Sequence, residues 1–291
     1  MFIKHAKIPN KILFKKQLNA IIERNNIYDK LKVTNDYVFK RIFGKQGNES
    51  ILKDFLKAVL ELPIEKIEVI KDANLERALV ENKSGILDIK ATLDNKITVN
   101  IEMQVRNQHN MIDRSLYYWS NLYSSSLYKK QDYTQNNRTI TINILMFNIF
   151  EAGPYHEKCM IRRDYNGEIL TEDLEMHFIQ IPKCKKEDVK TKLDKWMQFI
   201  GNISEEGVNI AMKENREIRK AKEELEYLTG DEEERRLAEL REKAIRDETT
   251  NLNSAIRKRN LEIARKMIEE KIDIETIIKV TGLTKEEIEI L

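Results

Sequence analysis

The 291-residue sequence is poor in the residues that cross-link or punctuate a chain, with two cysteines, four prolines and nine glycines. Cys159 and Cys184 make no Cys-X-X-Cys and no framework spacing. That argues against a disulfide scaffold or a cysteine-built zinc site and for a reducing compartment. The four histidines, His5, His109, His156 and His177, are scattered without a serine or cysteine partner at a recognisable spacing. A nucleophile–histidine hydrolase is therefore not indicated. There is no GxxxxGK[ST] loop for a nucleotide-driven motor. No run approaches the roughly 20 apolar residues of a membrane span. Charges also occupy the N-terminus, where a signal peptide needs an apolar stretch. The expectation is a cytoplasmic protein with no membrane partner.

What the chain has in quantity is charge, 34% of residues, which with scarce Gly and Pro suits a helix-rich globular protein. The signs nearly cancel, 51 basic against 49 acidic residues. The first thirty residues nevertheless carry seven basic groups (Lys4, Lys7, Lys11, Lys15, Lys16, Arg24 and Lys30) against Glu23 and Asp29. This basic extension, residues 1–30, suits either a surface helix or an arm that meets phosphates.

Periodicity organises the rest. Leu31 to Leu60 reads as helical, with Thr34 or Asn35 as N-cap and Asp36 in the first turn. Asn110 to Lys130 reads as a helix, and the β-branched run Ile140–Phe147 as a buried strand. A hairpin is expected from strands near Cys159–Arg163 and Leu174–Ile181, joined through Asn166-Gly167. Glu187–Ile200 reads as a short helix burying Leu193, Trp196, Met197 and Ile200. Glu214–Glu248 follows as a mixed-charge helix anchored by Leu225, Leu228, Leu237 and Leu240. Leu252–Ile272 is a further helix, with Ile256, Leu261, Ala264 and Ile268 as burial candidates. Two short helices broken at Thr281-Gly282 end the chain. The expected domains after the basic extension are a core over 31–185, a linker or assembly region over 186–250 and a small helical module over 251–291.

Chemistry is legible in one stretch, GILDIKATLDNKITVNIEMQV, from Gly85 to Val105. Leu87, Ile89, Ala91 and Leu93 alternate with Asp88, Lys90 and Thr92. After a break at Asp94-Asn95-Lys96, Ile97, Val99, Ile101, Met103 and Val105 alternate with Thr98, Asn100, Glu102 and Gln104. Strict alternation indicates two half-buried strands joined by a turn. A two-residue loop would pair Asp88 with Ile101 and mix the faces. A three-residue loop pairs Leu93 with Ile97, and therefore Asp88 with Glu102. Opposed side chains on one face stand about 4.5–5.5 Å apart at Cβ, so two carboxylates repel unless a proton or cation lies between them. With Gln104 on the same side, the pattern suits a divalent-metal site made of oxygen ligands.

An Asp on one strand followed by Glu-X-Gln on the next resembles the PD-(D/E)XK nuclease core. More closely, the chain resembles the Rpn family of recombination-promoting nucleases, the PD-(D/E)XK nuclease family transposases. The matching residues are Thr34-Asn35-Asp36-Tyr37-Val38-Phe39-Lys40-Arg41-Ile42-Phe43-Gly44, Asp88 and Asn100-Ile101-Glu102-Met103-Gln104. Arg114 with Tyr117-Tyr118-Trp119, the strand Glu175-Met176-His177-Phe178-Ile179 and the tail Thr281–Ile288 follow in order. The resemblance implies an α/β fold, a mixed sheet flanked by helices, with a C-terminal helical tail. It implies a metal-dependent DNA endonuclease linked to recombination, mobile elements or defence, with Mg²⁺ or Mn²⁺ held by Asp88 and Glu102. Gln104 replaces the family's usual lysine. An amide cannot act as a base near neutral pH, so it would orient rather than deprotonate, and Lys90 would supply positive charge. Asp36 is either a third acidic group of the site or a helix-dipole and capping residue. Arg106, Arg114 and Tyr117 would meet the nucleic acid.

The terminal helix pair suggests a helix-turn-helix, yet its second helix, Lys285-Glu286-Glu287-Ile288-Glu289, holds three glutamates that repel phosphate. That favours packing or homo-oligomeric assembly through the C-terminal helical region. The alternative function is a non-catalytic nuclease-like protein that assembles through this tail.

Overall fold

The computed structural model describes residues 31–70, 88–94, 96–125, 132 and 137–291. The basic extension, Gly85 to Leu87 and Asn95 lie outside the described residues.

Helix α1 (Asp36–Phe43) starts where expected: Asn35 is its N-cap, and its side-chain oxygen accepts the Val38 N–H at 3.2 Å. It does not continue to Leu60. The chain breaks across Gly44–Asn48, where Gly47 takes φ +98°, and resumes as α2 (Glu49–Leu60). A short strand that sequence reasoning missed, β1 (Ile67–Ile70), precedes β2 (Ile89–Leu93) and β3 (Ile97–Gln104). Then come α3 (Met111–Ser125), β4 (Arg138–Leu145), β5 (His156–Met160) and β6 (Leu174–Gln180). The six strands form one mixed sheet in the order β1-β2-β3-β4-β6-β5. Pairing is parallel across β3–β4 and β4–β6 and antiparallel elsewhere.

The two faces of the sheet differ. Ile89, Ala91, Leu93, Val99, Ile101, Ile140, Ile142, Ile144 and Ile179 enter the main core, together with Phe39, Phe43, Phe55 and Trp196. The other face is polar beneath α3, where Thr98, Asn100, Glu102, Thr139, Thr141 and Asn143 are all buried. A smaller apolar cluster of Met111, Leu145, Leu174, Met176 and Phe178 fixes α3 at that side.

A charged cluster is buried on the main-core face toward the β5 edge. Glu175 lies opposite Ile140, and His177 opposite Ile142. The Glu175 carboxylate accepts from Arg138 at 2.5 Å and Lys158 at 2.8 Å and meets His177 Nε2 at 2.6 Å. His177 Nδ1 in turn meets His156 Nε2 at 2.8 Å. These partners pull the Glu175 pKa down to about 2 against its burial. Burial and the neighbouring His177 push His156 down to about 4.

Beyond the sheet, α4 (Lys192–Gly201) opens on a Thr191/Asp194 capping box and buries all four expected residues. A helix that sequence reasoning missed, α5 (Glu205–Glu214), follows; the expected mixed-charge helix Glu214–Glu248 is then split into α6 (Arg216–Gly230) and α7 (Glu232–Glu269), and α7 runs on through most of the helix expected separately over Leu252–Ile272. The breaks fall at Asn215 and Asp231, whose side chains accept the N–H groups of Glu217, Ile218 and Glu234. Leu225 and Leu228 join the main core, whereas Leu240 is exposed. Glu234 accepts from Tyr37 and Arg41, tying α7 to α1. Packing divides the chain between Ala238 and Glu239, not near residue 185, because α4 to α6 complete the core rather than extend from it.

The second unit has its own small core of Ala264, Ile277, Leu283 and Ile288. Helices α8 (Ile274–Thr281) and α9 (Lys285–Glu289) are separated at Gly282 (φ +67°), as the sequence suggests. Ile256 and Ile268, expected to be buried, are exposed on α7.

Candidate active site

The hairpin has the expected three-residue register. Leu93 lies opposite Ile97 and Ile89 opposite Ile101, so one step further Asp88 faces Glu102. The turn is held at Asp94, in the left-handed region at φ +48°, with the Lys96 N–H donating to Leu93 O at 2.9 Å. The Asp94 carboxylate also accepts the Lys66 N–H at 2.7 Å, anchoring the turn beside β1.

Both carboxylates are almost sealed from solvent, Asp88 at 4% exposure and Glu102 at 5%. Asn100 Nδ2 donates to Asp88 Oδ2 at 3.2 Å. The Arg114 guanidinium pairs with Glu102 and lies 5.3 Å from the Tyr118 ring centroid. These partners do not offset the burial. Asp88 is held well above the ordinary carboxylate range by desolvation, opposed by the Asn100 bond and the charges of Arg114, Lys90 and Lys40. Glu102 is raised further, by desolvation and then by the Asp88 charge, with Asp36 adding and Arg114 opposing.

Two buried, under-compensated carboxylates form an oxygen donor set that fits a hard divalent cation. Among the described residues no three His, Cys, Asp or Glu side chains gather closely enough to hold a metal. Asp36 is buried and accepts the N–H of Tyr37 at 2.9 Å, and its charge raises Glu102 from α1. Three further buried atoms under α3 lack a protein hydrogen-bond partner: Asn100 Oδ1, Thr141 Oγ1 and Arg114 Nε.

The other expected residues lie close by in different roles. Lys90 is half-buried opposite Asn100, and its charge favours ionised Asp88. Gln104 is half-buried on the Glu102 side of β3, but its amide donates to Arg106 O at 3.1 Å. Arg106 is half-buried at the end of β3. Arg114, expected to meet the nucleic acid, pairs with Glu102. Tyr117 is 63% exposed on α3, packed edge-on to Tyr118. Tyr118 sits beneath Arg114, and Trp119 Nε1 donates to Thr139 O at 2.9 Å. Sequence reasoning passed over Asn100 and Lys40. Alternation places Asn100 on the Glu102 face, and Lys40 follows Asp36 by one helical turn, so both signals were present.

Two family models match the chain. The PD-(D/E)XK nuclease family transposase model covers residues 33–255, and the C-terminal HTH domain of the Rpn/YhgA-like nuclease family covers residues 257–291. No curated protein and no solved structure gives a match. The second model identifies the terminal helices as a helix-turn-helix domain, which the acidic α9 had argued against. With a mixed sheet flanked by helices, an Asp just before its second strand opposed to a Glu on its third, and a family match over most of its length, the chain belongs to the PD-(D/E)XK nuclease family transposases.

Proposed function

We propose that the protein is a divalent-metal-dependent endonuclease that hydrolyses DNA phosphodiester bonds in recombination, mobile-element or defence processes. The observation that carries this reading is the buried Asp88–Glu102 pair, opposed across a hairpin at like-charge distance with burial left uncompensated. Asp88 and Glu102 would hold Mg²⁺ or Mn²⁺, which supplies Lewis acidity toward a phosphate oxygen and lowers the pKa of water. Asn100 keeps Asp88 oriented, and Arg114 supplies positive charge beside Glu102. Gln104 orients but does not take a proton. Lys90 and Lys40 add positive charge near Asp88, and Asp36 tunes Glu102 from α1. Tyr117 and Arg106 are the contacts proposed for the nucleic acid. In the helix-turn-helix unit, Arg257-Lys258-Arg259 on α7 carries the charge to meet a phosphate backbone, since α9 is acidic.

Plasmid cleavage with Mg²⁺ or Mn²⁺, with and without chelator, tests the reading. Metal-dependent cleavage that Asp88→Ala and Glu102→Ala remove is the expected result. Equal cleavage by wild type and both variants would place the activity elsewhere.

A second reading, a nuclease-like protein that binds and assembles without cutting, is favoured by Gln104 in the lysine position and by apolar exposure on α7. Leu252 and Ile256, one turn apart, are 52% and 50% exposed, which suits homo-oligomerisation through this region. Leu252→Glu with Ile256→Glu should then lower the mass seen by light scattering. An unchanged mass would remove the assembly role.

A further inference from the structure

We propose that Asn100 is the third oxygen donor of the metal site, holding Asp88 through its amide nitrogen and offering its carbonyl oxygen to the cation. The proposal rests on the metal-dependent reading above.

Asn100 projects to the same face as Glu102, two residues before it, and lies diagonally across the hairpin from Asp88. The bond from Nδ2 to Asp88 Oδ2, 3.2 Å long, fixes which end of the amide faces the carboxylate. The other end, Oδ1, is buried with the residue at 5% exposure and accepts from no protein donor. A buried amide oxygen without a donor has lost its hydration for nothing in return, so such atoms are rare unless something polar meets them. Thr141 repeats the anomaly: it lies directly opposite Asn100 in the parallel β3–β4 ladder, and its hydroxyl is also buried without a partner. Two adjacent unpartnered oxygens therefore sit beside the carboxylate pair.

A neutral amide oxygen is also what the charge balance calls for. Asp88 and Glu102 already repel, and a third carboxylate would raise that repulsion further. Asn and Gln carbonyls serve hard cations without adding charge. The absence of a three-acid cluster among the described residues is consistent with an amide completing the set.

The test is Mn²⁺ titration into the full chain, read by calorimetry and by the Mn²⁺-induced rise in melting temperature, for wild type, Asp88→Ala, Asn100→Ala and Asn100→Asp. Asn100→Ala should bind Mn²⁺ about ten- to a hundredfold more weakly. Asn100→Asp keeps an oxygen but loses the donor to Asp88. It should bind within a few-fold of wild type, or more tightly, while being less stable without metal. A purely structural Asn100 would change the melting temperature of both variants and leave their Mn²⁺ affinity alone, which would overturn the assignment. Equal weakening in Asn100→Ala and Asn100→Asp would overturn it too, by showing that only the donated N–H matters. If Asn100→Ala does not fold, Asn100→Leu, of similar volume and without an oxygen, takes its place and should show the same weakening; unchanged affinity there would overturn the assignment. Failure of wild type to bind Mn²⁺, or binding unaffected by Asp88→Ala, would instead defeat the metal-dependent reading itself and the assignment with it.

Discussion

The sheet buries acid on both faces, and the two places could hardly be treated more differently. On the main-core face, Glu175 is surrounded by Arg138, Lys158 and His177, and its pKa falls. On the face beneath α3, Asp88 and Glu102 share one guanidinium and one amide, and both pKa values rise. Solvent exposure does not separate them, since all three residues are nearly inaccessible. Partner count does. A carboxylate with its charges matched is part of the scaffold. A pair left short of positive charge is what a functional site looks like, and it is the basis of the cation site proposed above.

The largest effect expected from this contrast is on cleavage. Asp88→Ala or Glu102→Ala should lower metal-dependent cleavage by about a hundredfold or more, whereas Glu175→Gln should leave the rate per folded molecule unchanged. Glu175→Gln should instead cost about 1–3 kcal/mol in a denaturant titration, because it removes the buried partner of Lys158, which solvent reaches, and of Arg138, which keeps Glu172. Loss of cleavage with full stability in Glu175→Gln would erase the distinction between the two acids.

The next effect is on metal-linked stability. Asp88→Asn removes the repulsion, so in EDTA at neutral pH the variant should be as stable as wild type or more so. Mn²⁺ at a hundred times Kd should stabilise wild type by about 2.7 kcal/mol and the variant little. A variant less stable in EDTA that still gains fully from Mn²⁺ would contradict the opposed pair.

Titration should separate the faces by sign. The Asp88 and Glu102 pKa values lie above their unfolded values, so the folded state holds extra protons and metal-free stability falls as pH rises from about 4 toward neutrality. Asp88→Asn should flatten that fall. His156 lies below its unfolded value, so its contribution is lost as pH drops from about 6.5 to 4. His156→Gln should reduce this acid-side loss, and the Glu175 contribution should vanish only at still lower pH. Parallel pH–stability curves for wild type and Asp88→Asn would rule out raised pKa values at the pair.

The smallest effect concerns Gln104. Gln104→Lys should hold or raise cleavage, and Gln104→Ala should slow it several-fold, since only the first retains a donor at that position. Equal rates in all three would leave Gln104 with its bond to Arg106 and no part in the reaction.

How much of this was legible follows the range of the interactions. The Asp88–Glu102 register was readable because alternation and a turn are local, and a one-residue slip would have exposed the apolar side. Helix breaks were read less well. Asn215 and Asp231 look ordinary within a charged run until their side chains are seen to cap a new helix. Asp36 matched the family context, yet only the fold shows its charge acting on Glu102. Arg114 was legible as a site residue because its helix follows β3, but its pairing with Glu102 is a tertiary fact. The same holds for Asn100: its face was predictable, but its unpartnered oxygen depends on what α3 and β4 leave beside it.

The hairpin has a further consequence for the order in which the chain folds. Asp88 and Glu102 meet through a turn at residues 94–96, and such hairpins close in about 1–10 μs. Parallel pairing of β3 with β4 must wait for the crossover through α3. The two acids therefore meet before β4 closes the sheet beside them, and the Arg114 pair, only 12 residues from Glu102, is local enough to form in the same step. Ions present during synthesis would speed that step, so a refolding rate that rises with Mn²⁺ would be a kinetic trace of the same pair.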